Sequence, residues 1–98
     1  MDYRTFAAHV NSEFRVASPS GEVDDEIVLL LIDVAPLLAQ PGAPRAEPFS
    51  LIFVGPRATP LPQATYSMRH SAIGDLEIFI VPIEFGDGGA IRYEAVFN

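Results

Sequence analysis

The sequence predicts a mainly β protein: a compact antiparallel barrel or sandwich of about six strands with one short N-terminal helix. Three observations lead to this prediction. The chain has 98 residues, of which 49% are apolar, so residues 1–98 are expected to form one domain around one core. Short segments of alternating polar and apolar residues are separated by glycine and proline, as is typical of strands and turns. No helical stretch of about ten residues lies between them, so parallel crossovers are not expected.

The helix is predicted over residues 3–10, immediately after the start of the chain. Phe6 and Val10 are four positions apart and would share one face. Thr5 is a candidate cap, and Asn11 suits a left-handed residue at the helix end. A helix of two turns is not stable alone, so its apolar face is expected to dock on the strands.

The strands are predicted where apolar residues recur at every second position, or where a short apolar run is bounded by turn residues. These segments are 13–18, 26–34, 49–54, 65–70, 76–81 and 90–97. Turns are predicted at 18–21, 73–75 and 86–89, and a longer loop at 38–48. Pro82 is expected to end the fifth strand, because proline cannot donate to a strand ladder.

The composition excludes several classes of function. The chain contains no cysteine, so it has no disulfide, thiol nucleophile or cysteine-based metal site. Its longest apolar run, Ile27–Ile32, is far shorter than the ~20 residues that a membrane-spanning helix needs. The first residues show no basic and apolar secretion signal, so a cytoplasmic location is expected.

The charge balance disfavours two kinds of partner. The formal net charge is −7, and the six basic residues are all arginines, scattered along the chain. Binding to phosphate backbones requires clustered cations, so no nucleic-acid partner is expected. The acidic surface likewise predicts no binding to anionic membranes.

Reactive groups show no recognisable site pattern. His9 and His70 lack neighbours at metal-ligand or catalytic spacing, and the acidic run 22–26 lacks the spacing of a calcium loop. The glycine-rich run 86–89 precedes a strand instead of the helix that a phosphate-binding loop requires. No catalytic residue, no cofactor and no metal are therefore expected.

Apolar excess is the most informative feature. Segments 27–32 and 76–81 are apolar on both faces, whereas an antiparallel sheet in a small domain normally exposes one face to water. The first hypothesis is therefore a non-enzymatic protein-interaction module that buries a strand face against a protein partner or a second copy of itself. The predicted interaction residues are Ile52, Val54, Phe79, Val81 and Ile83.

Two alternatives stay open. The first is a small-ligand-binding barrel, whose cavity would be lined by Phe53, Tyr66, Met68, Ile78 and Tyr93. The second is an enzyme that uses His70 as acid and base beside Tyr66 or Glu94. The enzyme is the weaker alternative, because catalysis needs converging polar groups and the segments are mostly apolar.

The C-terminal half also carries a set of short motifs. They are Phe49-Ser50-Leu51-Ile52-Phe53 before Gly55-Pro56, Leu61-Pro62-Gln63 with Tyr66, Phe79-Ile80-Val81-Pro82, and Tyr93-Glu94-Ala95-Val96-Phe97-Asn98. In these motifs the chain resembles a family of short bacterial proteins of unassigned function, whose members look like companions of phage-tail-collar-like or tail-fibre-like proteins. The resemblance implies a small accessory or structural component of such an assembly, and it brings no catalytic residues.

Overall fold

Six strands close into a barrel in the part of the chain that the computed structural model describes, namely residues 2–17, 27–39, 41–42, 47–58, 60–85 and 89–98. The elements are α1 (Tyr3–Ala7), β1 (Glu13–Val16), β2 (Ile27–Pro36), β3 (Phe49–Pro56), β4 (Ala64–His70), β5 (Gly74–Phe85) and β6 (Ala90–Phe97). The order around the barrel is β1-β2-β3-β6-β5-β4, and β1 pairs with β4 to close it. Every neighbouring pair is antiparallel. The predicted mainly β fold is confirmed, and of the two predicted architectures the chain adopts the barrel.

The N-terminal helix is shorter than predicted and begins with a different cap. Asp2 accepts hydrogen bonds from the backbone N–H groups of Arg4 at 3.0 Å and Thr5 at 3.3 Å, so Asp2 and not Thr5 caps α1. The helix ends at Ala7, three residues before the predicted Val10. Asn11 has the predicted left-handed conformation, with φ of 73°, and its N–H donates to the carbonyl of Leu31 in β2 at 2.7 Å. This bond turns the chain into β1 and ends the helical segment early.

The prediction that Pro82 ends the fifth strand is wrong. β5 pairs with β4 only as far as Ile80 and with β6 from Val81 onward, so Pro82 lies beyond the last residue paired with β4. The register with β6 shifts between Pro82 and Glu84, which leaves Ile83 as the additional residue of a bulge. Strands tolerate proline at such a place, because one fewer ladder hydrogen bond is required there.

The barrel interior is filled with apolar side chains. The buried residues are Phe6, Phe14, Val16, Leu29, Leu31, Phe49, Leu51, Phe53, Leu61, Tyr66, Met68, Ile78, Ile80, Ile91, Tyr93 and Ala95. In β3, β4 and β6 the buried residues recur at every second position, as the alternation in these segments predicts. Gly55 completes the interior, since a Cβ atom there would lie 2.5 Å from Leu29 Cδ2 and 3.2 Å from Tyr93 Cε2.

The two ends of the barrel are covered by different segments. Phe6 of α1 packs against Phe14, Phe49 and Phe97 at one end, with ring centroids 5.6–6.4 Å apart. At the other end lies Leu61, whose N–H donates to the Tyr93 hydroxyl at 3.0 Å. Among the described residues, no helix is long and apolar enough to cross a membrane. The turn predicted at 18–21, the acidic run 22–26 and most of the glycine-rich turn at 86–89 lie outside the described residues.

Candidate functional site

The five predicted interaction residues lie on the outside of the barrel, on strands that flank β6. Ile52 and Val54 point outward from β3, because Leu51, Phe53 and Gly55 occupy the alternating inward positions. Phe79 and Val81 point outward from β5, where Ile78 and Ile80 point inward. We call the outer surface of β3, β6 and β5 that carries Ile52, Val54, Phe79, Val81, Ile83, Glu84, Arg92, Glu94 and Val96 the β3–β6–β5 face.

Most of the apolar area of this face is open to solvent or only half-covered. Phe79 and Ile83 are each 49% exposed and Val96 is 47% exposed, whereas Ile52, Val54 and Val81 are partly buried by their neighbours. α1 packs at one end of the barrel, where Phe6 contacts Phe49 and Phe97. The apolar excess of β5 therefore remains on the surface.

Two charged residues occupy the middle of the face. Glu94 of β6 lies directly between Ile52 of β3 and Val81 of β5 in the strand register. Arg92, two residues earlier, lies between Val54 and Glu84. Within the described residues neither Arg92 nor Glu94 forms an ion pair. The face is thus an apolar surface with one unpaired cation and one unpaired anion on its central strand, and Glu84 of β5 adds a second anion at its edge.

The residues that the sequence predicted for interaction include none of Arg92, Glu94 and Val96. Alternation within residues 90–97 identifies their outward direction, so a signal for orientation is present. The sequence gives no signal that β6 lies between β3 and β5, because strand order depends on contacts far apart in the chain.

The residues predicted to line a ligand cavity are all packed into the core. Phe53, Tyr66, Met68, Ile78 and Tyr93 are buried and belong to the same apolar cluster. The Tyr66 hydroxyl donates to the carbonyl of Pro62 at 2.6 Å, and burial, with a smaller contribution from Tyr93, raises the pKa of Tyr66. These side chains therefore fill the positions where the ligand of the predicted binding barrel would lie.

A groove of about 320 Å³ lies on the opposite side of the barrel, over β1, β4 and the start of β5. Its lining residues are Arg15, Ala17, Ser67, Met68, Arg69, Asp75, Leu76 and Glu77. Arg69 pairs with Asp75 at 3.4 Å on an exposed surface. Because two cations face two anions in this groove, it favours no single charge class of ligand.

His70 is the one histidine that the fold buries, with 3% of its surface exposed. Its Nδ1 accepts hydrogen bonds from the N–H groups of Ala72 at 3.0 Å and Ile73 at 3.1 Å, and its Nε2 lies 2.8 Å from Ser12 Oγ. A nitrogen that accepts two N–H bonds carries no proton, so the neutral ring holds its proton on Nε2 and donates it to Ser12. The Ser12 hydroxyl in turn donates to the carbonyl of His9.

This network does not have the geometry of a serine–histidine nucleophile. Activation of Ser12 requires an unprotonated ring nitrogen that receives the serine proton, and Nε2 already carries one. Burial, followed by the nearby His9, lowers the pKa of His70, which favours the neutral ring in that position. The network joins the turn after α1 to the turn between β4 and β5.

The partners predicted for a catalytic His70 do not reach it. Tyr66 lies four residues before His70 in β4, and its hydroxyl is bonded to the carbonyl of Pro62. Glu94 points outward from β6, whereas His70 points into the barrel. In the described ranges no group of three or more histidine, aspartate or glutamate side chains is placed to bind a metal ion.

A family model described as a domain of unknown function, DUF6916, matches residues 1–97. The chain belongs to the DUF6916 family. Searches of curated proteins and of solved structures gave no match. The predicted membership of a family of unassigned function is confirmed, and this family description assigns neither an activity nor a phage-tail association.

Proposed function

We propose that this DUF6916 domain is a non-enzymatic protein-interaction module that binds through the β3–β6–β5 face. The observation that carries the proposal is the combination of half-exposed Phe79 and Ile83 with the unpaired Arg92 and Glu94 on one side of a closed barrel. The six described strands follow one another in a closed order without an end strand, so we assign association to an outer face. Burying large apolar side chains gives binding energy, and charges among them give specificity.

The internal use of polar groups supports a non-enzymatic role. His70, Ser12 and Tyr66 direct their polar atoms to backbone groups or to one another. A catalytic group has to present such an atom to a substrate. We therefore assign the buried polar network to stability and the outer face to function.

Within this class we propose an accessory role in a phage-tail-like or surface-fibre assembly. Its support is the resemblance of residues 49–98 to companions of such proteins, and an interaction face suits a component of an assembly. The cytoplasmic location stays a prediction. The identity of the partner, determined as described next, tests this finer assignment.

Site-specific photo-crosslinking in the source cells tests the proposed face. Phe79 is replaced by p-benzoylphenylalanine, and Glu13 is replaced in the same way as the control, because β1 lies opposite β6 in the barrel. We expect a covalent protein adduct from position 79 and none from position 13, followed by identification of the adduct by mass spectrometry. A Val81→Asp substitution in the position-79 protein should lower the adduct yield at least about fivefold, since it places a charge in the contact. Equal adducts from both positions, or none from position 79, would contradict the proposal.

A further inference from the structure

We propose that the occupant of the β3–β6–β5 face is a second copy of this chain, in a two-fold dimer that pairs Arg92 of each copy with Glu94 of the other. The inference rests on the proposed function, because it names the partner of the same face. It follows from the order of the outward side chains along three neighbouring strands.

The outward residues form two rows that cross the three strands. One row contains Val54, Arg92 and Glu84, and the other contains Ile52, Glu94 and Val81. Along a strand, outward residues two positions apart are separated by about 6.6 Å. Each row therefore places one charge of β6 next to an apolar residue of β3, and the two charges have opposite sign.

A two-fold axis that lies in the face, perpendicular to the strands and midway between the rows, brings together the opposite charges of the two β6 strands. Such an axis places the first row of one copy over the second row of the other. Val54 then meets Ile52, Arg92 meets Glu94, and Glu84 at the edge of the face meets Val81, each twice in the dimer. Ile83, beside Glu84 in the bulge, lies near Val81 of the other copy.

The other simple arrangement is unfavourable. An axis parallel to β6 would place Glu94 on Glu94 and Arg92 on Arg92, so each residue would face a residue of the same charge. Like charges across a desolvated contact are repulsive. The charge order along β6 thus selects one orientation of the two barrels.

The size of the face indicates a weak dimer. Three strands about 4.8 Å apart and eight residues at about 3.3 Å each project an area of roughly 350–400 Å². A standard interface buries about 800 Å² per partner, so the face is about half the standard size. Two copies also repel at long range because each carries a net charge of −7. We expect a dissociation constant in the micromolar range at about 0.15 M salt, where that repulsion is largely screened.

Charge reversal at Arg92 and Glu94 tests the dimer. In Arg92→Glu both central residues are acidic, and in Glu94→Arg both are basic, so each variant should dimerise at least about tenfold more weakly than the unchanged chain. An equimolar mixture of the two variants restores opposite charges at both contacts. The mixture should form a heterodimer with near-original affinity, measured by sedimentation velocity at about 10–500 µM protein and 0.15 M salt.

Residues of β1 provide the matched control. Glu13 and Arg15 have the same spacing on the strand opposite β6, and both side chains point outward. Arg15→Glu and Glu13→Arg therefore change the net charge by the same amounts, and they should leave the dissociation constant unchanged within about twofold. Recovery in the mixture shows that the β6 variants are folded.

The outcomes separate this inference from the proposed function. A monomer at all concentrations, a dimer that is insensitive to both β6 variants, or a mixture that fails to recover overturns the dimer. If the position-79 crosslink then captures a different protein, the interaction function stands and the second copy is not its partner. If position 79 gives no adduct and the chain is monomeric, both proposals fail.

Discussion

The two ends of the barrel are closed by different physical means. At one end Phe6, which is fully buried, fills the space between Phe14, Phe49 and Phe97. At the other end Leu61 is held by the hydrogen bond from its N–H to the Tyr93 hydroxyl. The first end, which we call the α1 end, depends on apolar volume. The second, which we call the Leu61 end, depends on a polar contact to irregular backbone.

The difference follows from the segment that lies over each end. α1 satisfies its own N–H groups through helical bonds and the Asp2 cap, so it can present a purely apolar side chain to the barrel. Pro60 and Pro62 have no N–H, so the N–H of Leu61 lies between two residues that cannot donate. Because Leu61 is buried, its N–H needs a hydrogen-bond acceptor within the protein. Tyr93 accepts from that donor, and a tyrosine is therefore required where a phenylalanine would fill the same space.

The largest expected effect is at the α1 end. Phe6→Ala should lower the free energy of unfolding by about 3–5 kcal/mol, because the ring is lost and the surrounding aromatic side chains cannot fill the cavity. Leu61→Ala at the other end should cost about 2–3 kcal/mol, since a smaller side chain is removed. Urea denaturation followed by circular dichroism measures both values.

Val10→Ala is the control for these two substitutions. Val10 follows α1 but is 36% exposed, so its truncation should cost less than about 1 kcal/mol. A larger cost for Leu61→Ala than for Phe6→Ala would show that α1 is not the more important of the two covers.

The same contrast explains how much of the fold could be predicted from the sequence. Alternation identified the inward positions of β3, β4 and β6, because side chains of a strand point to opposite faces. It could not decide between a barrel and a sandwich, since the deciding contact is the pairing of β1 with β4, more than fifty residues apart. It also could not show that β5 continues through Pro82, because the sequence does not indicate that pairing with β4 stops at Ile80.

The candidate site was predictable in part for related reasons. The apolar outward positions of β3 and β5 follow from the two-faced segments and from alternation, so Ile52 and Val81 could be selected. Their position on either side of Glu94 depends on the strand order, and the sequence could not predict it. The bond from His70 to Ser12 likewise joins residues 58 positions apart, and no local motif indicates it.

A second, smaller effect sharpens the comparison at the Leu61 end. Tyr93→Phe should cost about 1–2 kcal/mol, because the buried N–H of Leu61 loses its acceptor and no water replaces it. Tyr66→Phe should cost about 0.5–1 kcal/mol, since Pro62 is exposed and its carbonyl can bind water instead. Thermal or urea unfolding of the two variants measures the order, and a greater cost for Tyr66→Phe would contradict this account.

The smallest effect is a pH dependence at the α1 end, where His70 lies beside Phe14. The pKa of His70 is lowered in the folded chain by burial and by His9. The unfolded chain, in which histidine has a pKa of about 6.5, therefore binds the proton more tightly than the folded chain does. Stability is therefore complete above pH of about 6.5 and falls as the pH drops toward the lowered pKa. Between pH 7 and pH 6 the loss should reach at most about 0.7 kcal/mol.

The bonds to His70 explain why protonation is unfavourable. A second ring proton would lie on Nδ1, where the N–H groups of Ala72 and Ile73 already point, so both hydrogen bonds would break. His70→Asn removes the titrating ring but keeps an acceptor oxygen near these two groups, and it should remove the pH dependence while costing stability at every pH. His9→Gln should retain most of it, because burial is the larger cause of the shift. If the pH dependence of stability disappears in His9→Gln but persists in His70→Asn, the titrating group is not His70 and this prediction is wrong.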